Sequence, residues 1–338
     1  MALSILFNEL QIQENEKNMK NFLLIVLCIS MLVACSNKQK PVEPTLTVTI
    51  EPLRYFTETI VGPHFKVVSM VPDGTSPETY DPTPQQLVAL SKSTAYLQIG
   101  HIGFEQSWIQ KLKDNTPNLP FYDTSKGIDL IYASCGHTHS HAHSHSQNSS
   151  QERVGDNQNG SEVAEHQHGV EPHTWNSTQN AHIIADNIYK AVSEIDPTNE
   201  AVYKHRLDSL HTLIDVTNAE VKQWLTDADK TFMIYHPALT YFARDYQLTQ
   251  ISIEEAGKEP SPAHLQQLIK TCKQYGTRII FVQKEFDIHN AKMIAHEIGV
   301  EVVPINPLNY HWKEEMIQIA KSLSHNSEIN QTNVTNNQ

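Results

Sequence analysis

Short apolar runs alternate with segments of helical periodicity over most of the chain. Between residues 45 and 125 the runs TLTVTIEP, FKVVSMVP, AYLQIG and LPFYDTS are separated by helical patterns such as PQQLVALSKS and FEQSWIQKL. Between residues 230 and 306 the runs KTFMIYH, LTQISIE, RIIFVQ and VEVVPIN repeat this arrangement. Such alternation is typical of βα units around a parallel sheet. The pattern therefore predicts an α/β protein with two Rossmann-like βα lobes.

A long helical pattern lies between the two lobes. It runs from residue 199 to 228 without an internal Pro or Gly, and Asp196-Pro197 ends the helix before it. At ~1.5 Å per residue this helix would reach ~45 Å, which is longer than one small domain is wide. We therefore predict an N-terminal lobe at 45–198, a connecting helix at 199–228 and a C-terminal lobe at 229–324. An Asn-rich tail at 325–338 is expected to be disordered.

The alternation stops between residues 134 and 169, where aliphatic residues are almost absent. This composition predicts a disordered or mobile loop, and its sequence HTHSHAHSH places a histidine at every second position. In an extended chain every second side chain points the same way. We therefore predict an accessory loop that collects metal ions, although a polar spacer is the alternative. Its ligands would be His137, His139, His141, His143 and His145, together with His166 and His168.

The N-terminal 35 residues are expected to be an extension followed by a secretion signal. The stretch MKNFLLIVLCISMLVACSNK has a basic start, a short apolar run and a final LVAC before SNK. Its apolar run is too short to span a bilayer comfortably and ends in small residues before a cysteine. It resembles a bacterial lipoprotein signal, which implies lipid on Cys35 and a tether at 36–44. We therefore expect an exported protein, anchored by lipid to a bacterial membrane and facing the periplasm; a signal anchor is the alternative.

Composition and charge exclude several classes of function. The 338 residues are 39% hydrophobic, which allows a sizeable core. The formal net charge is -13 and no basic stripe is present, so nucleic acid is not an expected partner. Neither H-E-x-x-H nor G-x-S-x-G occurs, and no enzyme is predicted. With Cys28 and Cys35 in the signal, only Cys135 and Cys272 remain, and their pairing is open.

Polar side chains follow several of the predicted strands. Ligands of open α/β sheets gather beyond the carboxyl ends of the strands. In the first lobe Glu78 lies in such a loop, and His173 precedes the helix after the His-rich segment. Imidazole and carboxylate groups from both lobes suit a borderline metal such as Zn²⁺, so we predict a metal cleft between the lobes. The corresponding positions of the second lobe are His236, Glu254, Glu255, Gln283, Glu285 and Asn306.

The chain resembles the substrate-binding proteins of bacterial zinc and manganese ABC importers over nearly all of its length after the signal. The stretches that carry the resemblance are VPDGTSPETYDPTPQQL, HGVEPHTWNS, MIYHPALTYFARDYQL, IIFVQKEF and VVPINPL. The resemblance implies two βα lobes joined by a long helix, with one metal in the cleft and His173 and His236 as ligands. It also implies a monomer that captures Zn(II) and delivers it to an ABC permease in the cytoplasmic membrane.

Two positions depart from the family pattern. Where the family usually has a histidine after Ser-Pro, this chain has Glu78, and where members carry an aspartate before Pro-Leu, it has Asn306. A carboxylate still binds zinc, whereas an amide carbonyl binds it weakly. The fourth ligand is therefore open to water, Glu285 or Glu255. Imidazole favours zinc over manganese, but a manganese or iron homologue and a His-rich storage or adhesin lipoprotein remain alternatives.

Six further histidines fall in helical patterns and are expected at the surface. An isolated histidine on a helix is more often a surface residue than a metal ligand, so we predict no role for them. They are His182, His205, His211, His264, His289 and His296.

Deletion of residues 134–169 tests the predicted accessory loop. We expect the deletion to lower the number of zinc equivalents bound and to slow zinc capture from weak chelators, because tethered imidazoles raise the local concentration of ligands. Calorimetric titration measures the first quantity, and competition with a chromophoric chelator measures the second. If both stayed unchanged in the deletion variant, the accessory role would be wrong.

Overall fold

The computed structural model of the chain describes most of the sequence after the N-terminal segment. The described residues are Met19, 43–132, 169–254, 258, 260–286 and 288–325. No helix within these ranges has the length and apolar character of a membrane span. Several predicted functional positions lie outside the described residues: Cys28, Cys35, Cys135, Glu255 and the loop histidines His137, His139, His141, His143, His145, His166 and His168.

The N-terminal lobe is built on a four-stranded parallel sheet with the strand order β2-β1-β3-β4. Its strands are β1 (Thr45–Val48), β2 (Lys66–Ser69), β3 (Ala95–Gln98) and β4 (Phe121–Asp123). Its helices are α1 (Glu51–Val61), α2 (Pro84–Leu90), α3 (Gly103–Asn115) and α4 (Thr178–Ile195). Each of these strands coincides with one of the short apolar runs, which confirms the prediction from the alternating pattern.

The C-terminal lobe repeats this topology with the strand order β6-β5-β7-β8, again all parallel. Its strands are β5 (Thr231–Ile234), β6 (Thr249–Ser252), β7 (Ile279–Gln283) and β8 (Glu301–Ile305). Its helices are α6 (Thr240–Tyr246), α7 (Pro262–Tyr275), α8 (His289–Ile298) and α9 (Trp312–Leu323). The order reverses at β1 in the first sheet and at β5 in the second, which opens a crevice at the carboxyl ends of the strands.

The connecting helix α5 (Glu200–Trp224) has 25 residues and is therefore about 37 Å long. Its buried positions recur at helical spacing along one face, from Tyr203 through Leu210 to Val221. That face packs on α1 and α4 of the first lobe and on α9 of the second. The helix therefore supports both lobes along its length, as well as linking them in sequence.

One hydrophobic core extends through both lobes. It contains strand residues of the first sheet, the apolar faces of α4 and α5, and one face of the second sheet, where Phe232 and Phe281 lie. Met233 points to the opposite face of that sheet, because successive side chains of a strand alternate. There it joins a smaller cluster with Leu268 and Cys272, which is a buried free thiol. Separating the lobes would therefore expose apolar surface that both of them share.

Two tryptophans connect the lobes by reciprocal hydrogen bonds. The indole N–H of Trp175 donates to the carbonyl of Pro307 at 2.7 Å, and that of Trp312 donates to the carbonyl of Trp175 at 2.8 Å. Next to them, Asn176 donates its amide to the carbonyl of Ala238 at 2.9 Å. These bonds fix the segment before α4 against the loops of the second lobe.

Several helices begin or end at residues with well-known capping preferences. Ser177 caps α4 by accepting a hydrogen bond from the backbone N–H of Asn180. Gly276 and Gly299 end α7 and α8 in the left-handed conformation, with φ of 63° and 72°, which glycine adopts without steric cost.

Glu105, in the first turn of α3, is buried at the carboxyl end of β3. Its carboxyl group accepts hydrogen bonds from the backbone N–H groups of Ile99 and Gly100, both at 2.8 Å, and from the hydroxyl of Thr49. Burial raises the pKa of Glu105 to about 7, although these three hydrogen bonds oppose the shift. The side chain thereby fixes the loop between β3 and α3, which leads directly into Gly103 at the start of α3.

We expect Glu105→Ala to lower the free energy of unfolding by about 2–5 kcal/mol, because it leaves two buried backbone N–H groups without an acceptor. Urea unfolding followed by circular dichroism measures this change. Ser107→Ala, an exposed position of the same helix, is the matched control and should stay within about 0.5 kcal/mol of the parent chain. Equal stabilities of the two variants would contradict the proposed loop-fixing role.

Candidate metal centre

Three side chains from both lobes meet at the crevice above the two sheets. Glu78 lies in the loop after β2, His236 lies two residues after β5, and His173 precedes α4. One potential ligand atom from each of the three lies within 4.8 Å of the others. The two imidazole Nε2 atoms face each other at 3.2 Å. The structure thus brings together three of the residues that the sequence predicted as ligands.

Each imidazole is oriented by a carboxylate on its other nitrogen. Glu254 contacts Nδ1 of His236 at 3.0 and 3.1 Å, and Glu171 contacts Nδ1 of His173. A neutral imidazole that donates Nδ1–H to a carboxylate carries its lone pair on Nε2. Two such lone pairs therefore point at each other across 3.2 Å, which is repulsive unless a cation lies between them.

The separation of the two Nε2 atoms suits a bound transition metal. Two nitrogen ligands at tetrahedral angles and ~2.0–2.1 Å from Zn²⁺ would be about 3.3 Å apart. The enclosed part of the cleft measures about 10 Å³, which is room for one water-sized species. A wider opening of about 430 Å³ lies beside it and leads to solvent. The site can therefore hold one small ion and has a path for its entry.

Packing restricts the rotation of both rings. The ring of His236 stacks on Phe286 with centroids 5.2 Å apart, and Gln283 bonds both backbone groups of His236, at 3.3 and 2.6 Å. The ring of His173 packs on Trp175 with centroids 5.3 Å apart, and His173 is only 6% exposed. The nitrogens are thus held in place before any ion arrives, so binding costs little side-chain entropy.

Glu78 approaches the cluster only because the facing residue, Gly103, has no side chain. A Cβ atom at Gly103 would lie 2.3 Å from a carboxylate oxygen of Glu78 and 3.0 Å from its Cα. The backbone N–H of Phe104 also donates to the carbonyl of Pro77 at 2.8 Å, which ties this loop to the start of α3. Glu78 itself is exposed, so it lies on the solvent side of the cluster.

Glu285 and Asn306 differ in their relation to the cavity. Glu285 lines it beside the two histidines, and its Oε2 atom is buried without a hydrogen-bond partner among the described residues. Burial raises the pKa of Glu285, although the charges of His236 and Lys284 oppose the shift. Asn306 does not line the cavity; its amide donates to Asp73, although its Oδ1 atom is likewise buried without a hydrogen-bond partner among the described residues. Glu285 is therefore better placed than Asn306 to complete a ligand set.

The electrostatics of the cluster favour a cation. Burial lowers the pKa of His236, but the hydrogen bond and charge of Glu254, with the charges of Glu78 and Glu171, outweigh it and leave the pKa raised. Burial likewise raises the pKa of Glu171, but the hydrogen bond and charge of His173 outweigh it and leave the pKa lowered. The carboxylates around the two imidazoles thus make a positive charge favourable at this point.

Sequence reasoning missed two residues of the site. Glu171 was not predicted to orient His173, although it stands two positions earlier in the EPHTW stretch, and Gly103 had no signal at all. The expectation for the helical histidines was also incomplete. His205, His289 and His296 are exposed as predicted, whereas the other three are half-buried: His182, His211 and His264.

Several metal-binding proteins are similar to this chain in sequence. The zinc-binding lipoprotein AdcA of Streptococcus pneumoniae (strain ATCC BAA-255 / R6) is 26% identical over 305 residues, which cover 87% of this chain and 56% of AdcA. A metal ABC transporter substrate-binding lipoprotein of Lactococcus lactis subsp. lactis (strain IL1403) is 24% identical over 306 residues, 86% of this chain and 88% of that protein. This chain therefore spans little more than half the length of AdcA.

Solved structures share the whole two-lobed fold. A crystal structure of ZnuA is 33% identical, covers 82% of this chain and 97% of its own, and superposes with a TM-score of 0.71. A ZnuA deletion mutant with zinc bound gives 33% identity, coverage of 82% and 96%, and a TM-score of 0.70. The family model described as zinc-uptake complex component A, periplasmic, matches residues 46–328. The chain therefore belongs to this ZnuA family of proteins.

Proposed function

We propose that this protein captures Zn(II) in the cleft between its lobes and delivers it to an ABC permease, with Glu78, His173 and His236 as ligands. The observation that carries the proposal is the pair of Nε2 atoms that face each other at 3.2 Å, each on a ring oriented by a carboxylate. Metal-binding histidines almost always donate their other N–H in this way, which fixes the tautomer and raises the basicity of the ligand nitrogen.

Glu285 is the proposed fourth ligand. It lines the same cavity, and its buried, unpartnered oxygen is costly unless a cation or a proton satisfies it. Two imidazoles and two carboxylates complete the four-coordinate shell that Zn²⁺ prefers. In this arrangement Asn306 has no role as a ligand, and Asp73, which it contacts, forms a salt bridge with Lys284 at 2.8 Å.

Zinc is the proposed cargo for two independent reasons. Two imidazole nitrogens favour zinc over manganese, which prefers an all-oxygen shell. The names of the relatives agree, because AdcA is a zinc-binding lipoprotein and a ZnuA variant was solved with zinc bound. The carboxylates keep manganese as the competing cargo, since they supply the oxygen ligands that it prefers.

The family and the N-terminal signal support a proposal for delivery and location. The Lactococcus relative is a metal ABC transporter substrate-binding lipoprotein, which supports a permease as the partner and export as the route. We propose that lipid on Cys35 anchors the protein, as a monomer, to the outer face of the membrane that holds the permease. The histidine-rich loop at 134–169 would then collect zinc outside that membrane and supply it to the cleft.

Zinc titration of the chain beginning at Ser36 tests the cleft site. We expect one tight zinc equivalent, and we expect His173→Ala and His236→Ala each to weaken it by more than the roughly 10–100-fold that loss of an outer carboxylate partner costs. Manganese should bind less tightly than zinc to the parent chain. Isothermal calorimetry with a competing chelator measures all of these affinities.

His296→Ala, an exposed position on α8, is the matched control and should leave the tight equivalent unchanged. A tight zinc site that survived both cleft variants, or a set of weak sites with no tight one, would contradict the proposal.

The orienting role of Glu254 gives a finer test of the same site. Glu254→Gln keeps the shape of the side chain but removes its charge, and an amide holds the Nδ1–H of His236 less strongly. We expect zinc affinity to fall by about 10–100-fold with the stoichiometry unchanged. Competition titration measures the affinity, and thermal unfolding in EDTA should give similar midpoints for both proteins. Loss of the zinc equivalent itself would instead indicate that Glu254 is a direct ligand.

A further inference from the structure

A second pair of histidines lies outside the cleft, on the surface shared by α4 and α5. His182 and Asp186 are four residues apart on α4, and His211 and Asp215 are four residues apart on α5. Residues four apart lie on the same face of a helix, so each helix presents one imidazole and one carboxylate to the other. None of these four residues lines the cavity of the candidate metal centre or its wider opening.

The four side chains form a continuous chain of polar contacts between the helices. Nε2 of His182 lies 3.1 Å from a carboxylate oxygen of Asp215, and Nε2 of His211 lies 2.9 Å from one of Asp186. The Nδ1 atoms of the two rings are 2.6 Å apart, the ring centroids are 4.8 Å apart and the ring planes are inclined by only 22°. Each ring therefore has one nitrogen on a carboxylate and the other on its partner ring.

This chain of contacts has a proton deficit when both imidazoles are neutral. Two neutral rings carry two N–H groups in total, and the two carboxylates require both of them as donors. The two Nδ1 atoms then face each other as lone pairs at 2.6 Å, which is repulsive. One cation between them, either a third proton or a metal ion, removes the repulsion.

The arrangement repeats that of the cleft with the ring nitrogens exchanged. In the cleft, Nδ1 atoms contact Glu171 and Glu254 while Nε2 atoms face each other. On the helices, Nε2 atoms contact the aspartates while Nδ1 atoms face each other. In both places a carboxylate fixes the tautomer that leaves a lone pair aimed at the opposite imidazole.

We propose that His182 and His211 form a second binding site for a divalent borderline metal, with zinc as the cargo at hand. The two Nδ1 atoms are the protein ligands and water completes the shell, because the aspartates are committed to the distal nitrogens. The rings need to move apart from 2.6 Å to about 3.3 Å, the spacing of two nitrogen ligands of tetrahedral zinc. Their side chains are 32% and 25% exposed, which leaves room for that movement and access for the ion.

Two protein ligands and solvent exposure make this site weaker than the cleft. It would bridge α4 of the first lobe and the connecting helix, so the bound metal would also stabilise that helix pair. The choice of zinc rests on the proposed function, but the site itself does not, because the two sites share no residue.

Zinc titration of the full mature chain tests the second site. We expect His182→Ala and His211→Ala each to remove the same single weaker equivalent and to leave the tight cleft equivalent intact. Asp186→Asn and Asp215→Asn should weaken that equivalent by up to roughly tenfold, the low end of what loss of an outer carboxylate partner costs. Because the histidine-rich loop can also contribute weak equivalents, residue-resolved modification with diethylpyrocarbonate is the second readout. On the parent chain, zinc should protect the imidazoles of His182 and His211 from modification.

His205→Ala is the matched control, because His205 is an exposed histidine on the same helix α5. This variant should bind as many zinc equivalents as the parent chain. On the parent chain, zinc should not protect His205 from modification. If an alanine variant is poorly folded in EDTA, two other readouts test the site. They are the zinc stoichiometry of His182→Gln and the protection of His182 and His211 by zinc in the parent chain. Two results would overturn the proposal: unchanged zinc stoichiometry in both histidine variants, or no effect of zinc on the modification of His182 and His211 in the parent chain. Either result would mean that the pair holds only a proton.

Discussion

The hydrogen bonds of Trp175 and Trp312 hold the segment that carries His173 against the second lobe, and the candidate metal centre depends on this constraint. His173 and His236 come from different lobes, so the 3.2 Å between their Nε2 atoms exists only while the lobes keep one relative position. The two tryptophan bonds are buried and therefore exchange little with water. The hydrophobic core shared by both lobes adds to this restraint, since a hinge motion would expose apolar surface.

Because the two imidazoles and the carboxylates of the candidate metal centre are held rigidly, their mutual repulsion favours the binding of a cation. Two fixed lone pairs, Glu78 and Glu285 line a space with room for one ion, and Glu171 and Glu254 contact the Nδ1 atoms of the two rings. A flexible site would relax by turning the rings away from each other, but the stacking of His236 on Phe286 and of His173 on Trp175 opposes that movement. The folded protein therefore already holds the two lone pairs and the carboxylates close together in spite of their mutual repulsion. A bound cation relieves that repulsion. Release of the ion to a partner would require some of these contacts to loosen.

The sequence was sufficient to predict the fold and the strand-end positions of the site, because both follow from local periodicity. His236 ends one apolar run and Glu285 lies two residues after another, so their place at the crevice could be predicted from the runs alone. The orienting contact of Glu171 with His173 depends on side-chain rotamers in a non-helical segment, and the space for Glu78 depends on Gly103, 25 residues later. The indole bond from Trp175 to Pro307 joins residues 132 positions apart. Periodicity carries no information on contacts of this kind.

The two histidine pairs show how burial sets the strength of a similar arrangement. In the cleft, the side chains of His173 and His236 are 7% and 16% exposed, so the charges around them act through little water. On α4 and α5 water screens the aspartates, of which Asp215 is 72% exposed, and the attraction to a cation is correspondingly smaller. Neutralising one aspartate should therefore change metal affinity less on the helices than neutralising Glu254 does in the cleft. The difference in sensitivity would follow from the exposure of the outer carboxylates, since Glu254 is only 9% exposed.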